Sequence, residues 1–251
     1  MDYDSSWRSL RNCIEYYLWF ASRLHYHAHQ KFIPLGGNTV FIRRDLLESV
    51  NGWDADCLAE DCEIGVRLSV RGARVGVAYS AELATREETP DTLKRFIDQR
   101  VRWNQGYLQV LARGDWRKLP TFGQRFAARY LLLTPLIQAV NVLAIPLAVA
   151  TILLVKAPVA LVLLTYLPIG PAVMMVLLEA FGLHRFGLDF KVHIGVKRYV
   201  ALVLMAIPYQ LYLVWAAAVA LLRHLRGATD WKKTAHSNAH RPALQMAESA
   251  N

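Results

Sequence analysis

The chain has 251 residues, 29 Lys and Arg against 20 Asp and Glu, and a formal net charge of +9, with a pI near 9.6 and a mean hydropathy of +0.20. That length admits one large domain or a small domain followed by membrane helices; a charged fraction of 20%, with apolar residues gathered after position 130, favours the second. The basic residues flank apolar segments and form no single block, which excludes a nucleic-acid platform and reads as anchors facing anionic lipid, with a minority left for phosphate chemistry.

The polar opening of the chain lacks the basic-then-apolar pattern of a signal peptide. Residues 5–28 have the apolar spacing of a helix, with Leu10, Ile14, Tyr17, Leu18, Phe20 and Ala21 on one side, too interrupted by polar residues to span a bilayer. His25, His27 and His29 would share a face only in a strand and diverge on a helix. Residues 33–47 hold Gly36 and Gly37, a tight turn where backbone can approach a ligand, then Val40, Phe41 and Ile42 with strand propensity. Asp45 is placed to cap a short helix ending before Gly52.

Residues 52–68 are denser in chemistry. Asp61 falls in the first turn of a helix whose apolar face is Ile64 and Leu68, where the helix N-terminus stabilises a carboxylate and fixes its position. A general base needs both properties, although an ordinary acidic first turn looks the same. Cys57 and Cys62 bracket this stretch with no His at a zinc spacing, and with Cys13 they read as reduced thiols. Residues 74–79 alternate like a strand, and residues 87–91 make a loop into a further helix. On that helix Gln99, Arg102 and Trp103 stand at i, i+3 and i+4, so an amide, a guanidinium and an indole share a face able to fork a phosphate and stack a ring. By itself the pattern also fits an amphipathic helix with a packed Trp.

Beyond residue 120 the composition changes. Residues 130–155 and 199–222 carry no charge and residues 157–183 carry only Glu179, each long enough for a bilayer core at roughly 20 residues per span. The segments predict about three membrane-spanning stretches over 130–222, kinked at their prolines. Basic clusters precede the first span and separate the second from the third, which places both on the cytoplasmic side. A cytoplasmic basic tail at 223–251 then requires a hairpin or re-entrant last segment, broken near Pro208, or a partly interfacial first one.

Gly36-Gly37-Asn38-Thr39, then Gly52-Trp53-Asp54, then Glu60-Asp61, then Gln99-x-x-Arg102-Trp103 occur in one order ahead of apolar segments. The set resembles the second half of the family-2 membrane glycosyltransferases, which include cellulose, chitin and hyaluronan synthases. The resemblance implies an α/β fold, a partial A-type glycosyltransferase domain, followed by a mainly helical multi-span membrane region. Residues 1–112 would be the acceptor-side half of the catalytic domain, 113–129 an interfacial linker, 130–222 the transmembrane region and 223–251 the tail. Asp61 matches the general base of the family's Thr-Glu-Asp motif, with Glu60 beside it and Ala59 in place of the Thr. Gln99, Arg102 and Trp103 match the helix that binds the leaving diphosphate and stacks the acceptor sugar. Gly37 and Asn38 match the acceptor-site floor.

The implied reaction is inverting glycosyl transfer from a nucleotide-sugar to a polysaccharide or lipid-linked acceptor at the inner membrane, in cell-envelope synthesis, with the catalytic part cytoplasmic. The complete enzyme would use Mg2+ or Mn2+. No metal site is expected in this chain, since Asp2 and Asp4 lack the preceding strand that would fix them. The nucleotide-binding half of the family is absent upstream, so the chain is expected to be a fragment or one half of a split enzyme, inactive alone. Two other classes stand beside this reading: a non-catalytic membrane partner, and a transporter suggested by Glu179 and the prolines.

Overall fold

The computed structural model describes residues 6–37, 39–85, 88–154 and 169–228, with the backbone alone at 141–149, 151–153, 169, 171 and 172. Helix α1 (Trp7–Leu18) starts at Ser6, whose hydroxyl accepts the Ser9 N–H at 3.1 Å. It continues through a π-turn (Trp19–Arg23) into α2 (Leu24–His29). Its inward face, Leu10 and Ile14, packs on Leu183 and Leu202. Helices α3 (Arg44–Ser49) and α4 (Glu60–Val70) follow. Helix α5 (Leu93–Arg113) is capped by Thr92, which accepts the Arg95 N–H at 3.2 Å, and ends at Gly114 with φ of 78°. After a 3-10 turn (Asp115–Lys118) comes α6 (Phe122–Leu154). Its start is a capping box: the Thr121 N–H donates to Gln124 Oε1 at 3.0 Å, and the Gln124 N–H donates to Thr121 Oγ1 at 3.2 Å. Helices α7 (Ile169–Asp189), α8 (Val196–Leu204) and α9 (Ala206–Leu225) complete the described chain.

Two glycines decide how these parts meet. The extended stretch at residues 33–35 crosses α4 at Gly65, where a Cβ would collide with the Ile33 carbonyl and lie 2.9 Å from Leu35 N. The Ile33 N–H donates to Ser69 Oγ at 3.2 Å, and Ser69 donates on to the Gly65 carbonyl at 2.7 Å, so the crossing leaves that buried amide satisfied. On the other side, residues 58 and 59 cross α5 at Gly106, where a Cβ would lie 2.6 Å from Ala59 N. Gln109 then accepts the Leu58 N–H at 2.8 Å. The main core lies here, with Phe32, Cys62, Val66, Val110, Trp116, Leu119 and Leu132 closing around α4, α5 and the start of α6.

The α/β expectation is overturned: the fold is mostly helical and has no strand among the described residues. Residues 73–79 do alternate between half-buried and exposed, and Val40 and Ile42 face the same apolar cluster as Ala73 and Val75. Extended backbone becomes a strand only through a ladder with a neighbour, and no ladder forms here. Phe41, which a sheet would cover, is 95% exposed. Asp45 does not cap α3; Arg43 holds that position, and Asp45 pairs with it from the first turn at 2.6 Å.

The multi-span expectation is also overturned. Among the described residues one helix, Ala206–Leu225, is long and apolar enough to cross a membrane. The segment at 199–222 divides into α8 and α9 at Met205, and Pro208 sits in the first turn of α9, where a missing N–H leaves no intrahelical bond unmade. The first turns of α6 carry Ala128 and Leu132 into the main core. On α7, Glu179 pairs with Arg11 of α1, which also donates to the Leu202 carbonyl. A charge so paired is a brace between α1, α7 and α8. Part of the second apolar segment and most of the basic tail lie outside the described residues.

Arg11 is buried to 2% exposure, so deleting its partner strands a cation in the core. Glu179→Ala is expected to cost roughly 3–5 kcal/mol of stability. The double change Arg11→Met with Glu179→Leu should recover much of it. Denaturant unfolding of the detergent-extracted chain checks both.

Candidate active site

The first turn of α4 carries Glu60, Asp61 and Glu63, and its N-cap Ala59 offers no side-chain acceptor. The four free N–H groups of such an end favour anions. Asp61 takes up this role: its Oδ1 accepts the Cys62 N–H at 2.7 Å and its Oδ2 accepts the Gly37 N–H at 2.5 Å. A Cβ on Gly37 would lie 3.0 Å from that same oxygen, so the glycine permits the approach. The Gly65 crossing delivers Gly37 to this position, since Gly65 lies one helical turn beyond Asp61.

Burial raises the Asp61 carboxyl above its ordinary value of 3.8, against the opposing pull of the two amides and of the Arg102 charge. Asp61, Gly37 and Arg102 are therefore brought together from α4, the Gly36–Gly37 turn and α5. Glu60 is half-buried beside them, with no hydrogen bond or ion pair among the described residues. Gln99 Oε1 is buried with no hydrogen-bond partner. Asn38 lies outside the described residues.

Trp103 stands one helical step from Arg102 and is fixed by neighbours the motif does not name. The Arg100 guanidinium stacks 4.4 Å from its ring centre, and Tyr16 of α1 meets its edge at 6.1 Å. Arg100 is buried, pairs with Glu15, and donates to Asn12 Oδ1 at 3.2 Å. The π-turn adds a second group: Trp19 Nε1 would lie 3.0 Å from a Cβ on Gly36, so its indole backs the turn that holds Asp61. π-turns inside α-helices recur at functional sites. Tyr107, four residues past Trp103, is pushed up by burial and by the nearby Cys62 and Asp61. Spacing from Trp103 could have found Tyr107. Nothing local in the sequence marks Glu15 or Trp19.

His27 is buried against Trp19, Tyr26 and Phe32, and burial with the Arg23 charge lowers it to about 4, so it is neutral at pH 7. His25 and His29 are exposed on α2, which separates them from it. Among the described residues no group of three His, Cys, Asp or Glu is arranged to hold a metal ion.

Comparison with known proteins connects this geometry to a family. The model of "Glycosyl transferase family group 2" matches residues 5–222. The chain belongs to that family. A "Probable glycosyltransferase" of Sulfolobus acidocaldarius is 37% identical over 81 residues, 32% of this chain and 17% of the relative. "Probable glycosyltransferase YdaM" of Bacillus subtilis is 35% identical over 81 residues, 32% of this chain and 19% of the relative. The "Poly-beta-1,6-N-acetyl-D-glucosamine synthase" of Staphylococcus aureus is 30% identical over 87 residues, 35% of this chain and 21% of the relative. The match thus spans about a fifth of the length of each of these relatives. No solved structure matches.

The raised carboxyl of this group 2 glycosyl transferase has a consequence for stability. A carboxyl whose folded value lies above its unfolded one binds its proton more tightly when folded, so ionising it weakens the fold. That loss is absent below the ordinary value of 3.8 and complete above the folded value. Asp61→Asn also turns one of the two accepting oxygens into a donor, so the pH dependence carries the test: the wild type is expected to gain melting temperature relative to Asp61→Asn as the pH falls from 7 through about 4. A wild type that loses melting temperature relative to the variant over that fall in pH would show instead that the charge supports the fold.

Proposed function

We propose that this chain is the acceptor-side part of an inverting glycosyl transferase that extends a polysaccharide or glycolipid from a nucleotide-sugar donor at a membrane. The observation that carries the reading is the Asp61 carboxylate, held by two backbone amides in the field of Arg102 within a group 2 family chain. Asp61 takes the proton of an acceptor hydroxyl. The oxygen attacks the anomeric carbon as the bond to the diphosphate breaks, and Arg102 stabilises the negative charge that develops on the leaving group. Gln99 Oε1, a buried acceptor without a partner, receives a hydroxyl of the acceptor sugar, and the Trp103 ring packs against its apolar face. Glu60 lends further negative charge to the same turn.

The reading assigns the Mg2+ or Mn2+ of the complete enzyme to its nucleotide-binding part. The membrane location is supported by α9, which exposes Leu211, Trp215, Leu222 and Leu225 while its Ala216 and Ala220 pack on Val101 of α5. The family match and the named synthase relative support sugar transfer into a polysaccharide.

Two measurements test the reading. Residues 1–251, purified in detergent, are expected to show no hydrolysis or transfer of nucleotide-sugars; metal-dependent turnover by a preparation free of host enzyme would refute the partial-site assignment. In an active assembly that includes the donor-binding part, Asp61→Asn should lower the rate by roughly 10²–10⁴-fold with donor affinity little changed. There Arg102→Lys keeps the charge and loses the planar fork, so kcat should fall by about 10²-fold. Trp103→Phe should act mainly on acceptor KM, by something like tenfold. Equal losses of folded protein in both variants, with normal activity per folded molecule, would make this helix a brace only.

A further inference from the structure

An open cavity of about 610 Å³ lies beyond the Leu58–Ala59 crossing, away from Asp61. Its size falls within the ~300–1,000 Å³ of small-molecule sites. Glu63 of α4 lines it, two residues and about 200° of helix from Asp61. Arg113 of α5 lines it too, eleven residues beyond Arg102, or about 16 Å along the axis. The two sites therefore share two helices and are separated by the Gly106 contact.

The cavity walls are polar and joined by ion pairs. Arg67 donates to both Glu63 oxygens at 2.6 Å and to the Gly52 carbonyl at 2.8 Å. Arg113 pairs with Asp54 and lies 3.7 Å from Glu63. The Asp54 carboxyl is held below its ordinary range by the Arg113 hydrogen bond, so it stays ionised as a planar acceptor. Trp53 projects from the loop between them, 47% exposed, and among the described residues no ring or cation stacks on it.

Charge decides the class of ligand. Three carboxylates, Asp54, Glu63 and Asp115, face two guanidiniums, and both guanidiniums are already paired. A phosphate or nucleotide would find no free cation among these groups, since Lys118 beside them is also paired, with Asp115 at 2.7 Å. A neutral polyol would meet alternating planar donors and acceptors beside an indole face, which matches a pyranose ring with its hydroxyl rim and apolar C–H face. We infer that the cavity beside Trp53 is a second saccharide-binding site, which holds a glycan chain at a distance from the site of transfer. The choice of glycan as ligand rests on the transferase reading; the location of the site does not.

Calorimetric titration of the full chain in detergent, with hexamers of β-1,6-linked N-acetylglucosamine and of β-1,4-linked glucose as probes, tests the assignment. At least one hexamer is expected to bind, Trp53→Ala to weaken it about tenfold, and Trp53→Phe to restore most of the loss. On the wild-type protein, oxidation of the Trp53 indole read by peptide mass spectrometry should slow when the hexamer is present, which needs no variant to fold. Binding lost with Trp103→Ala but kept with Trp53→Ala would overturn the second site and leave the transferase reading standing. Absence of binding by either hexamer, unchanged Trp53 oxidation, or displacement of the hexamer by uridine diphosphate would overturn it as well.

Discussion

Everything in the candidate site depends on how closely two pieces of backbone approach α4 and α5. Helices normally stand apart by the width of their side chains, at 8–10 Å between axes. At Gly65 and Gly106 that width is removed, and the chain at 33–35 and at 58–59 lies directly on the helix surface. A glycine inside a helix costs about 1 kcal/mol against alanine, so each position gives up local stability for a fixed crossing. The result is a carboxylate whose position is set by its own helix and by the Gly37 amide, in the field of Arg102 on α5.

The polar interior supports the same helices in another way. Glu15 receives Arg100 from α5 and the Tyr209 hydroxyl from α9, while Arg11 joins Glu179 of α7 to the end of α8. Gln105 of α5 accepts from Arg223 at 3.1 Å and donates to the Ala228 carbonyl. Buried charges of this kind add little net stability over an apolar replacement, yet they strongly disfavour any register in which a partner is lost. The orientation of Trp103 follows from one of them, since Arg100 is held by Glu15 and Asn12 and the indole lies on Arg100.

The helical parts of this arrangement were legible because a 3.6-residue period, an acidic first turn and a motif at i, i+3 and i+4 are local signals. Helix α4 begins at Glu60 and α5 carries Gln99, Arg102 and Trp103, as that pattern implied. The strands were misread because Val40, Ile42 and residues 74–79 show only how a chain extends, and a sheet needs a partner that no single segment specifies. Three spans were expected because apolar length does not distinguish lipid from protein: Leu132 of α6 and Leu183 of α7 are apolar because they close the protein's own cores, and among the described residues the segment that makes α9 is long and apolar enough to cross a membrane. Arg100, Glu15 and Trp19 escaped notice because each is placed by a partner distant in sequence: Arg100 by Asn12, 88 residues away, Glu15 by Tyr209, 194 away, and Trp19 by the turn at Gly36. Nothing local in the sequence separates Gly65 and Gly106 from any other helical glycine, since what crosses them comes from elsewhere in the chain.

The thiols offer an internal clock for this architecture. Cys13, Cys57 and Cys62 are all free and all buried, Cys57 is pushed up to about 11 by burial, and Cys62 is raised as well. Alkylation needs an exposed thiolate, so none of the three reacts from the closed fold. They report two seams: Cys13 the packing of α1 on Phe186, and Cys57 and Cys62 the main core, from the loop ahead of α4 and from α4 itself. The order in which they become labelled would rank those seams by free energy of opening, without any engineered probe.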